Sequence, residues 1–346
     1  MCGILGICLD KRDRSEAAIG EILIDFGHLL EESTVRGIDA TGVYVVNRDA
    51  EPVYLKAPVP ADAFIWGDYG FWELLKAHVG ADTVAIIGHT RAATTGIPEC
   101  NDNNHPIVDG PIIGVHNGIV LNHRDLDRKY GKQAEVDSAA IMALLRTKAG
   151  DKPLTTKHLT SSLHEIDGPM AIAVADRRKP DGIFLARHGN PVAFHRDREM
   201  GVLFFASTGD ILREALGDDI DTFLMPANSA CRVSPKTVRG NLQFWPIKER
   251  VEGKSHHDVR AARLLSKVGP GKAEAREAIA ESRRGNSRFA DEADVDAGER
   301  CSQCRQLPLM VYIWSDLTGE EEVQECCACN PYGAESYDSA PHSPKE

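Results

Sequence analysis

The clearest pattern in residues 1–247 is a series of short apolar runs separated by Gly, Pro and Asn, which is typical of β-strands. Residues 17–31 differ, because their apolar side chains recur at helical spacing, and a second helix is predicted over 137–145 with Asp137 or Ser138 near its N-cap. The predicted strands span residues 4–9, 42–47, 84–89, 112–116, 170–176, 182–187, 202–206 and 230–234. Strands interleaved with helices predict a layered sandwich of sheets and helices.

Composition narrows the class of protein. The chain has 346 residues, of which 42% are hydrophobic and 27% charged, as expected for a globular protein with a full core and an appendage. Its net charge of -12 argues against non-specific nucleic-acid binding as the main activity, although a local basic patch stays possible. We find neither an apolar run of about 18 residues nor a secretory signal, so a cytoplasmic protein is expected.

The character of the sequence changes after Pro246. Residues 248–299 are predicted to form a charged helical linker, in which 260–288 carry eight Lys and Arg against three Glu and 289–299 carry five Asp and Glu. Two interpretations stay open, a solvated linker or a contact face for a partner or nucleic acid. The tail, 332–346, is rich in Ser, Pro and Gly and is predicted to be disordered.

Nine cysteines, an odd number with two Cys-x-x-Cys pairs, favour a reducing compartment and metal ligation over a disulfide framework. Cys301, Cys304, Cys326 and Cys329 have the spacing of a tetrahedral zinc site, so residues 300–331 are predicted to form a structural zinc-ribbon-like module. A redox dithiol is the alternative, and Cys327 could replace Cys326 as a ligand. Cys8 and Cys231 lie in predicted strands and are expected to be buried.

Cys2 follows the initiator methionine, and removal of Met1 would leave its thiol and a free α-amine on one residue. The reference pKa of an α-amine is about 7.7–8.0, so the amine can act as a base for the neighbouring thiol. Any protein can have Cys at position 2, so the remaining motifs decide whether Cys2 reacts.

Four motif groups occur in order along the chain: 2–6 (Cys-Gly-Ile-Leu-Gly), 36–42 (Arg-Gly-Ile-Asp-Ala-Thr-Gly), 88–94 (Gly-His-Thr-Arg-Ala-Ala-Thr) with 103–106 and 116–122 (His-Asn-Gly-Ile-Val-Leu-Asn), and 137–141 (Asp-Ser-Ala-Ala-Ile). Together they resemble the glutaminase domain of class II glutamine amidotransferases, which are N-terminal-nucleophile hydrolases. The resemblance covers residues 2–235 and implies an α+β fold, the four-layer αββα sandwich, for a domain spanning 2–247. The helical linker and the small zinc ribbon are expected to follow it.

The resemblance implies a role for each matching residue. Arg91 matches the arginine that binds the glutamine α-carboxylate, for which a planar guanidinium is suited. Asp137 matches the carboxylate that receives the α-ammonium, a role compatible with its position as a helix N-cap. Arg36 is expected to support the nucleophile, and Thr94 is expected to line the glutamine pocket.

Attack on an amide creates an oxyanion that needs positioned donors. Asn117 and Gly118 match the family's pair, a side-chain amide and a backbone N–H, although Asn-Gly alone is also a common hairpin turn. His105 is interpreted as structural. Two positions depart from the family, since Ala92 and Thr95 stand where many members have Trp and His, which leaves the gating of the pocket open.

The leading hypothesis is therefore an enzyme that hydrolyses glutamine and supplies ammonia to a separate synthase, because no acceptor domain is recognisable in the chain. A nucleic-acid or modified-nucleobase acceptor is a weaker expectation, and no catalytic cofactor is expected. Two alternatives stay open: hydrolysis of another γ-glutamyl amide without ammonia transfer, and an inactive zinc-containing scaffold.

Overall fold

The computed structural model describes residues 2–48, 52–131 and 134–247, together with two strands near the C-terminus, Met310–Asp316 and Gly319–Glu325. The chain divides into two compact units, Met1–Arg250 and Val251–Glu346. The first unit contains two β-sheets, and each pair of neighbouring strands within them is antiparallel.

The first sheet has seven strands in the order β11-β9-β10-β1-β4-β2-β3. In the middle of this sheet, Gly3 of β1 pairs with Thr90 of β4, and Ala40 of β2 pairs with Arg91 of β4. This register brings the starts of β1 and β2 and the end of β4 to one edge of the sheet. The strands are β1 Gly3–Leu9, β2 Ala40–Asn47, β3 Val53–Ala57, β4 Thr83–Arg91, β9 Ala193–Asp197, β10 Val202–Ala206 and β11 Thr222–Leu224.

The second sheet has six strands in the order β13-β12-β8-β7-β6-β5. Its strands are β5 Ile107–Asp109, β6 Ile112–Gly118, β7 Met170–Asp176, β8 Ile183–His188, β12 Ser229–Val233 and β13 Phe244–Pro246. Asn117 and Gly118 pair with Ala171 and Met170 at the end of β6.

Eight α-helices are described in the first unit. They are α1 Glu16–Glu32, α2 Ala61–Trp66, α3 Phe71–His78, α4 His123–Tyr130, α5 Ser138–Ala149, α6 Thr156–Leu163, α7 Gly209–Leu216 and α8 Pro235–Arg239. Two short 3-10 helices, Ser33–Arg36 and Asn101–Asn103, accompany them. None of these described helices is long and apolar enough to cross a membrane.

Three buried clusters show how the layers pack. One cluster joins apolar residues of both sheets, including Ile4 of β1 and Val115 of β6. A second packs α1, α2, α3 and α7 on the outer face of the first sheet, and a third packs α4, α5 and α6 on the second sheet. The predicted four-layer αββα sandwich is confirmed, since burying both faces of each sheet requires helices outside and a shared core between.

The second unit contains a two-stranded antiparallel hairpin, β14 Met310–Asp316 and β15 Gly319–Glu325. Its register pairs Met310 with Glu325, so the chain enters and leaves the hairpin at the same end. The four predicted zinc ligands, the whole linker over 248–299 and the tail lie outside the described residues, and their assignments stay predictions.

Candidate active site

Cys2 lies directly before β1, at the sheet edge where β4 ends. Its Sγ donates to the carbonyl oxygen of Ala92 and accepts from the Ala92 N–H, each at 3.4 Å. The residue is half-buried. The thiol is thus fixed against the backbone that directly follows Arg91.

The environment of Cys2 has opposing effects on its thiol. Burial raises the pKa of Cys2 above its ordinary value, while the hydrogen bond from Ala92 and the positive charge of Arg91 lower it. The negative charge of Asp137 raises it further. Since burial dominates, the resting thiol is protonated and needs a base to become a nucleophile.

Arg36 and Gly37 lie beside Cys2 and the end of β4. The Arg36 Nε donates to the Cys2 carbonyl oxygen at 3.5 Å. Gly37 packs so tightly on the end of β4 that a Cβ there would lie 2.3 Å from the Arg91 carbonyl carbon and 2.4 Å from the Ala92 nitrogen. Glycine is therefore needed for this loop to approach the strand.

Arg91 ends β4 with only 3% of its surface exposed. Its Nη1 donates to Asn104 Oδ1 at 2.7 Å, and its Nη2 donates to the carbonyl oxygens of Thr95 and Gly96 at 2.5 and 2.6 Å. These bonds use three of the five guanidinium N–H groups, and no hydrogen bond of the other two to a described residue is seen. Burial lowers the pKa of Arg91, but a guanidinium stays charged at neutral pH.

Two residues that support this arrangement were not singled out from the sequence. Asn104 is fully buried, and its Nδ2 donates to the Pro98 carbonyl at 2.7 Å, so it joins Arg91 to the loop that follows. Asp39 accepts from Ala93 N–H at 2.7 Å, and its own N–H donates to the Arg91 carbonyl at 2.9 Å. Both lie within quoted motifs, but only the fold shows what they contact.

Asp137 is the N-cap residue of α5, but its carboxylate makes no capping hydrogen bond. Instead, Oδ2 accepts from the Val120 N–H at 2.6 Å, and the residue is 6% exposed. Its charge acts on both Cys2 and Arg91. The Asp137 carboxylate therefore does not cap the helix, and its charge lies within electrostatic range of the Cys2 thiol and the Arg91 guanidinium.

Asn117 lies at the end of β6 and carries a buried side-chain amide. It is 1% exposed, yet neither its Oδ1 nor its Nδ2 makes a hydrogen bond within the described part of the chain. Its backbone is held, since the Asn190 Nδ2 donates to the Asn117 carbonyl at 2.8 Å. A buried amide without a partner costs free energy, and a ligand that forms hydrogen bonds with it would recover that cost.

Gly118 completes the end of β6 with a φ of 151°, a conformation that favours glycine. A Cβ would lie 2.1 Å from the Pro169 carbonyl oxygen. The strand end that carries the Asn117 amide therefore tolerates only glycine at the next position.

Three buried histidines link the two sheets behind these residues. His89 Nε2 lies 3.0 Å from the His116 carbonyl oxygen, and the His89 and His105 rings stack with centroids 4.1 Å apart. His116 Nδ1 lies 2.8 Å from Ser138 Oγ. Burial lowers the pKa of His89 to about 3, and it lowers that of His105 and His116 as well, so all three are neutral. They connect β4 to β6 and α5 without supplying charge.

Thr94 is exposed on the loop after β4, and no hydrogen bond of its side chain to a described residue is seen. Its predicted contact with glutamine stays a prediction.

The other site candidates lie together: a thiol, an arginine, a carboxylate and an unpaired amide at one end of the sandwich. Such a set can bind a free amino acid by its charged ends and stabilise an oxyanion near the thiol.

Comparison with known proteins agrees with this arrangement. A family model described as a glutamine amidotransferase domain matches residues 89–214. The chain carries a class II glutamine amidotransferase domain. The residues that match the family model run from β4 to α7. They include Arg91, Asn117, Gly118 and Asp137.

Curated relatives of this amidotransferase domain include two kinds of enzyme. The 7-cyano-7-deazaguanine synthase of Saccharolobus solfataricus is 28% identical over 256 residues, covering 72% of this chain and 51% of that protein. The isomerizing glutamine–fructose-6-phosphate aminotransferase of Pseudomonas syringae is 30% identical over 255 residues, covering 71% of this chain and 37% of that protein. The chain thus spans about half or less of the length of the relatives it matches.

A solved structure shares the fold. The glutamine phosphoribosylpyrophosphate amidotransferase of B. subtilis superposes with a TM-score of 0.53 at 15% identity, covering 71% of this chain and 49% of that one. This likeness supports the layered αββα fold and carries nothing about nucleophile or substrate.

Proposed function

We propose that this chain hydrolyses the side-chain amide of glutamine with Cys2 as the nucleophile. The observation that carries the proposal is the buried Asn117 amide, which lacks a hydrogen-bond partner in the described chain at the same end of the sandwich as the thiol. Arg91 would bind the α-carboxylate of glutamine, and Asp137 would bind its α-ammonium. These two charges favour a free amino acid over a peptide or an uncharged amide.

The reaction follows from these positions. The Cys2 α-amine, once Met1 is removed, takes the thiol proton as the sulfur attacks the amide carbon. The developing oxyanion accepts hydrogen bonds from the Asn117 side chain and the Gly118 N–H. The amine returns the proton to the leaving nitrogen, ammonia departs, and a glutamyl thioester forms. Water then attacks the thioester, which releases glutamate and regenerates the thiol.

The test is glutamate release from glutamine by the purified chain beside Cys2→Ala and a matched Cys100→Ala control. We expect loss of activity in Cys2→Ala only, because Cys100 is also a free, half-buried cysteine and no role is proposed for it. Mass spectrometry of the N-terminus should show that Met1 is absent. Absence of glutaminase activity, with candidate partners added, would overturn the proposal.

Ammonia would pass to a separate synthase that docks over this site. Large apolar side chains are exposed directly beside the site motifs, with Val35 78% and Leu121 70% exposed. The others are Ile38, Ile97 and Ile119. Exposed apolar side chains grouped around one site are typical of a protein contact surface. Replacing Val35 and Leu121 by Ser should leave glutaminase activity intact and reduce ammonia transfer to the partner; equal transfer would contradict this docking face.

The acceptor we favour is a nucleobase precursor. Support comes from two relatives named 7-cyano-7-deazaguanine synthase, which cover 64% and 72% of this chain. Glutamine labelled with ¹⁵N in its amide, incubated with the chain and a synthase of that class, should label the nucleobase product. Labelling of an amino sugar instead would favour the aminotransferase relatives.

A structural zinc site is proposed for the second unit. The hairpin β14–β15 lies between the two Cys-x-x-Cys pairs, and its two ends are adjacent, which fits ligands from both sides. Cys301, Cys304, Cys326 and Cys329 would hold the ion, which would supply folding energy and no catalysis. Metal analysis should find one zinc per chain, lost in Cys301→Ser; retained zinc would refute this ligand set. Comparing Cys326→Ser with Cys327→Ser identifies the third ligand.

A further inference from the structure

A cleft lies at the opposite end of the sandwich from Cys2. Strands β1 and β2 both begin at the proposed active site and run parallel to each other, each antiparallel to β4 between them. Their far ends lead to Lys11 and Arg48, which line a cleft of about 470 Å³. The proposed active site contributes none of the residues that line this cleft.

The lining of this cleft is strongly basic in an otherwise acidic chain. Five cations face it against one carboxylate, Asp181. The cations are Lys11, Arg48, Arg232, Lys236 and Arg239. The whole chain has a net charge of -12, so this concentration of positive charge is a local feature of the fold.

The available carboxylates leave this charge incompletely neutralised. Arg232 pairs with Asp181, and Arg239 pairs with Asp10, a carboxylate that Arg12 and Arg14 also contact. Lys11 and Lys236 are exposed and form no ion pair with any described residue.

The guanidinium of Arg48 has a buried nitrogen without a hydrogen-bond acceptor in the described chain. Its Nη1 lies 3.6 Å from Asp82, a carboxylate with 65% of its side chain exposed. Its Nη2 is buried and makes no hydrogen bond to the described chain. A buried guanidinium nitrogen without an acceptor is satisfied when an anion enters beside it.

We propose that this cleft binds a small polyphosphate, either inorganic or the phosphate chain of a nucleotide. Two lysines and an unsatisfied arginine nitrogen match several adjacent phosphate charges better than one carboxylate. The volume suits a small ligand, and none of the described residues lining the cleft is aromatic, so the phosphates rather than a base are recognised.

The experiment measures binding of tripolyphosphate, ATP and a single-stranded oligonucleotide to the full chain by calorimetry. The test variant is Lys11→Glu with Lys236→Glu, and the control is Lys76→Glu with Lys157→Glu, which makes the same charge change at two exposed lysines elsewhere. We expect at least ~10-fold weaker tripolyphosphate binding in the test variant, because two charge-assisted contacts are lost. The control should bind as the unaltered chain does, and both variants should retain glutaminase activity.

Equal binding of ATP and tripolyphosphate would support a site that recognises the phosphate chain whichever molecule carries it, and tighter binding of tripolyphosphate would support an inorganic ligand. Tighter binding of ATP would support the cleft and identify the nucleotide as the source of the phosphates. Equal weakening in both double variants would show non-specific attraction and overturn the proposal. Binding of the oligonucleotide without binding of tripolyphosphate, or no saturable binding at all, would overturn it as well.

Discussion

At the residue scale, Asn117 shows a conflict between stability and the proposed reaction. Its amide is buried and unpaired within the described chain, whereas Asn104, fully buried nearby in sequence, bonds Arg91, Pro98 and Asn101. A donor held in place before the oxyanion forms needs no reorganisation during the reaction. The unpaired amide of Asn117 is therefore consistent with a group kept for the transition state.

Replacing Asn117 by Leu should separate these two effects. We expect glutamate release to fall by about 10²–10³-fold in kcat, as for loss of one oxyanion donor. The free energy of unfolding should stay equal or rise by ~1 kcal/mol, because an unsatisfied polar group is removed. Asn104→Leu is the control and should lower stability instead. Urea unfolding and steady-state kinetics measure both, and a clear loss of stability in Asn117→Leu would contradict the assignment.

Cys2 permits a prediction about pH. Because burial raises the pKa of its thiol, the thiolate fraction should still be increasing above pH 9. Alkylation of Cys2 by iodoacetamide, followed by mass spectrometry of the peptide, should rise about tenfold per pH unit up to that range. Cys2→Ser provides the blank. A plateau below pH 8 would mean that Arg91 and the Ala92 hydrogen bond outweigh burial.

At the scale of elements, two glycines offer a matched pair. Gly118 has a φ of 151° and almost no room for a Cβ, whereas Gly20 lies inside α1 with nothing within 4 Å of its Cβ position. Gly20→Ala should raise the free energy of unfolding by ~0.5–1 kcal/mol, since alanine is the better helix former. Gly118→Ala should lower it by roughly 1–3 kcal/mol because β6 must shift from Pro169. Thermal unfolding of both variants measures this difference, and equal shifts would show that β6 adjusts freely.

The sequence predicted several long strands and the helix α1 well, whereas of the other seven described helices it predicted only the start of α5. Strands β7 and β10 were placed with the observed bounds, and α1 within one residue at each end, because long apolar runs and helical periodicity are strong local signals. Short elements such as β11 and β5 were missed, since three residues that pair only through distant partners carry no local pattern. The hydrogen bond between Asp39 and Ala93 could not be predicted either, because the two residues are 54 positions apart in the sequence.

At the scale of the whole molecule, three histidines join the sheets that carry the proposed site. His89 lies on β4 of the first sheet and contacts the backbone of His116 on β6 of the second, while His105 stacks on His89. Motif matching identified these residues but not their common role. Their burial without charge makes the packing of the two sheets sensitive to acid.

The direction of this sensitivity follows from the pKa values. In the unfolded chain a histidine titrates near 6.5, whereas burial lowers the pKa of His89 to about 3 in the folded state and lowers those of His105 and His116. Above about pH 6.5 both states are neutral and stability is complete. As the pH falls below that value, the unfolded state gains protons first, so stability declines by up to ~1.4 kcal/mol per pH unit for each histidine.

Urea unfolding at pH 7 and pH 5 should therefore show a large loss of stability, and His105→Phe should reduce that loss by about one histidine's share, roughly 1–2 kcal/mol. Phenylalanine keeps a ring against His89 and cannot titrate, so the variant changes the pH dependence more than the stability at pH 7. His28→Phe is the control, because His28 is exposed on α1 and should leave the difference between the two pH values unchanged. An identical loss in the unaltered chain and in His105→Phe would show that the buried histidines do not govern the acid response, and that the two sheets are held together mainly by their shared apolar core.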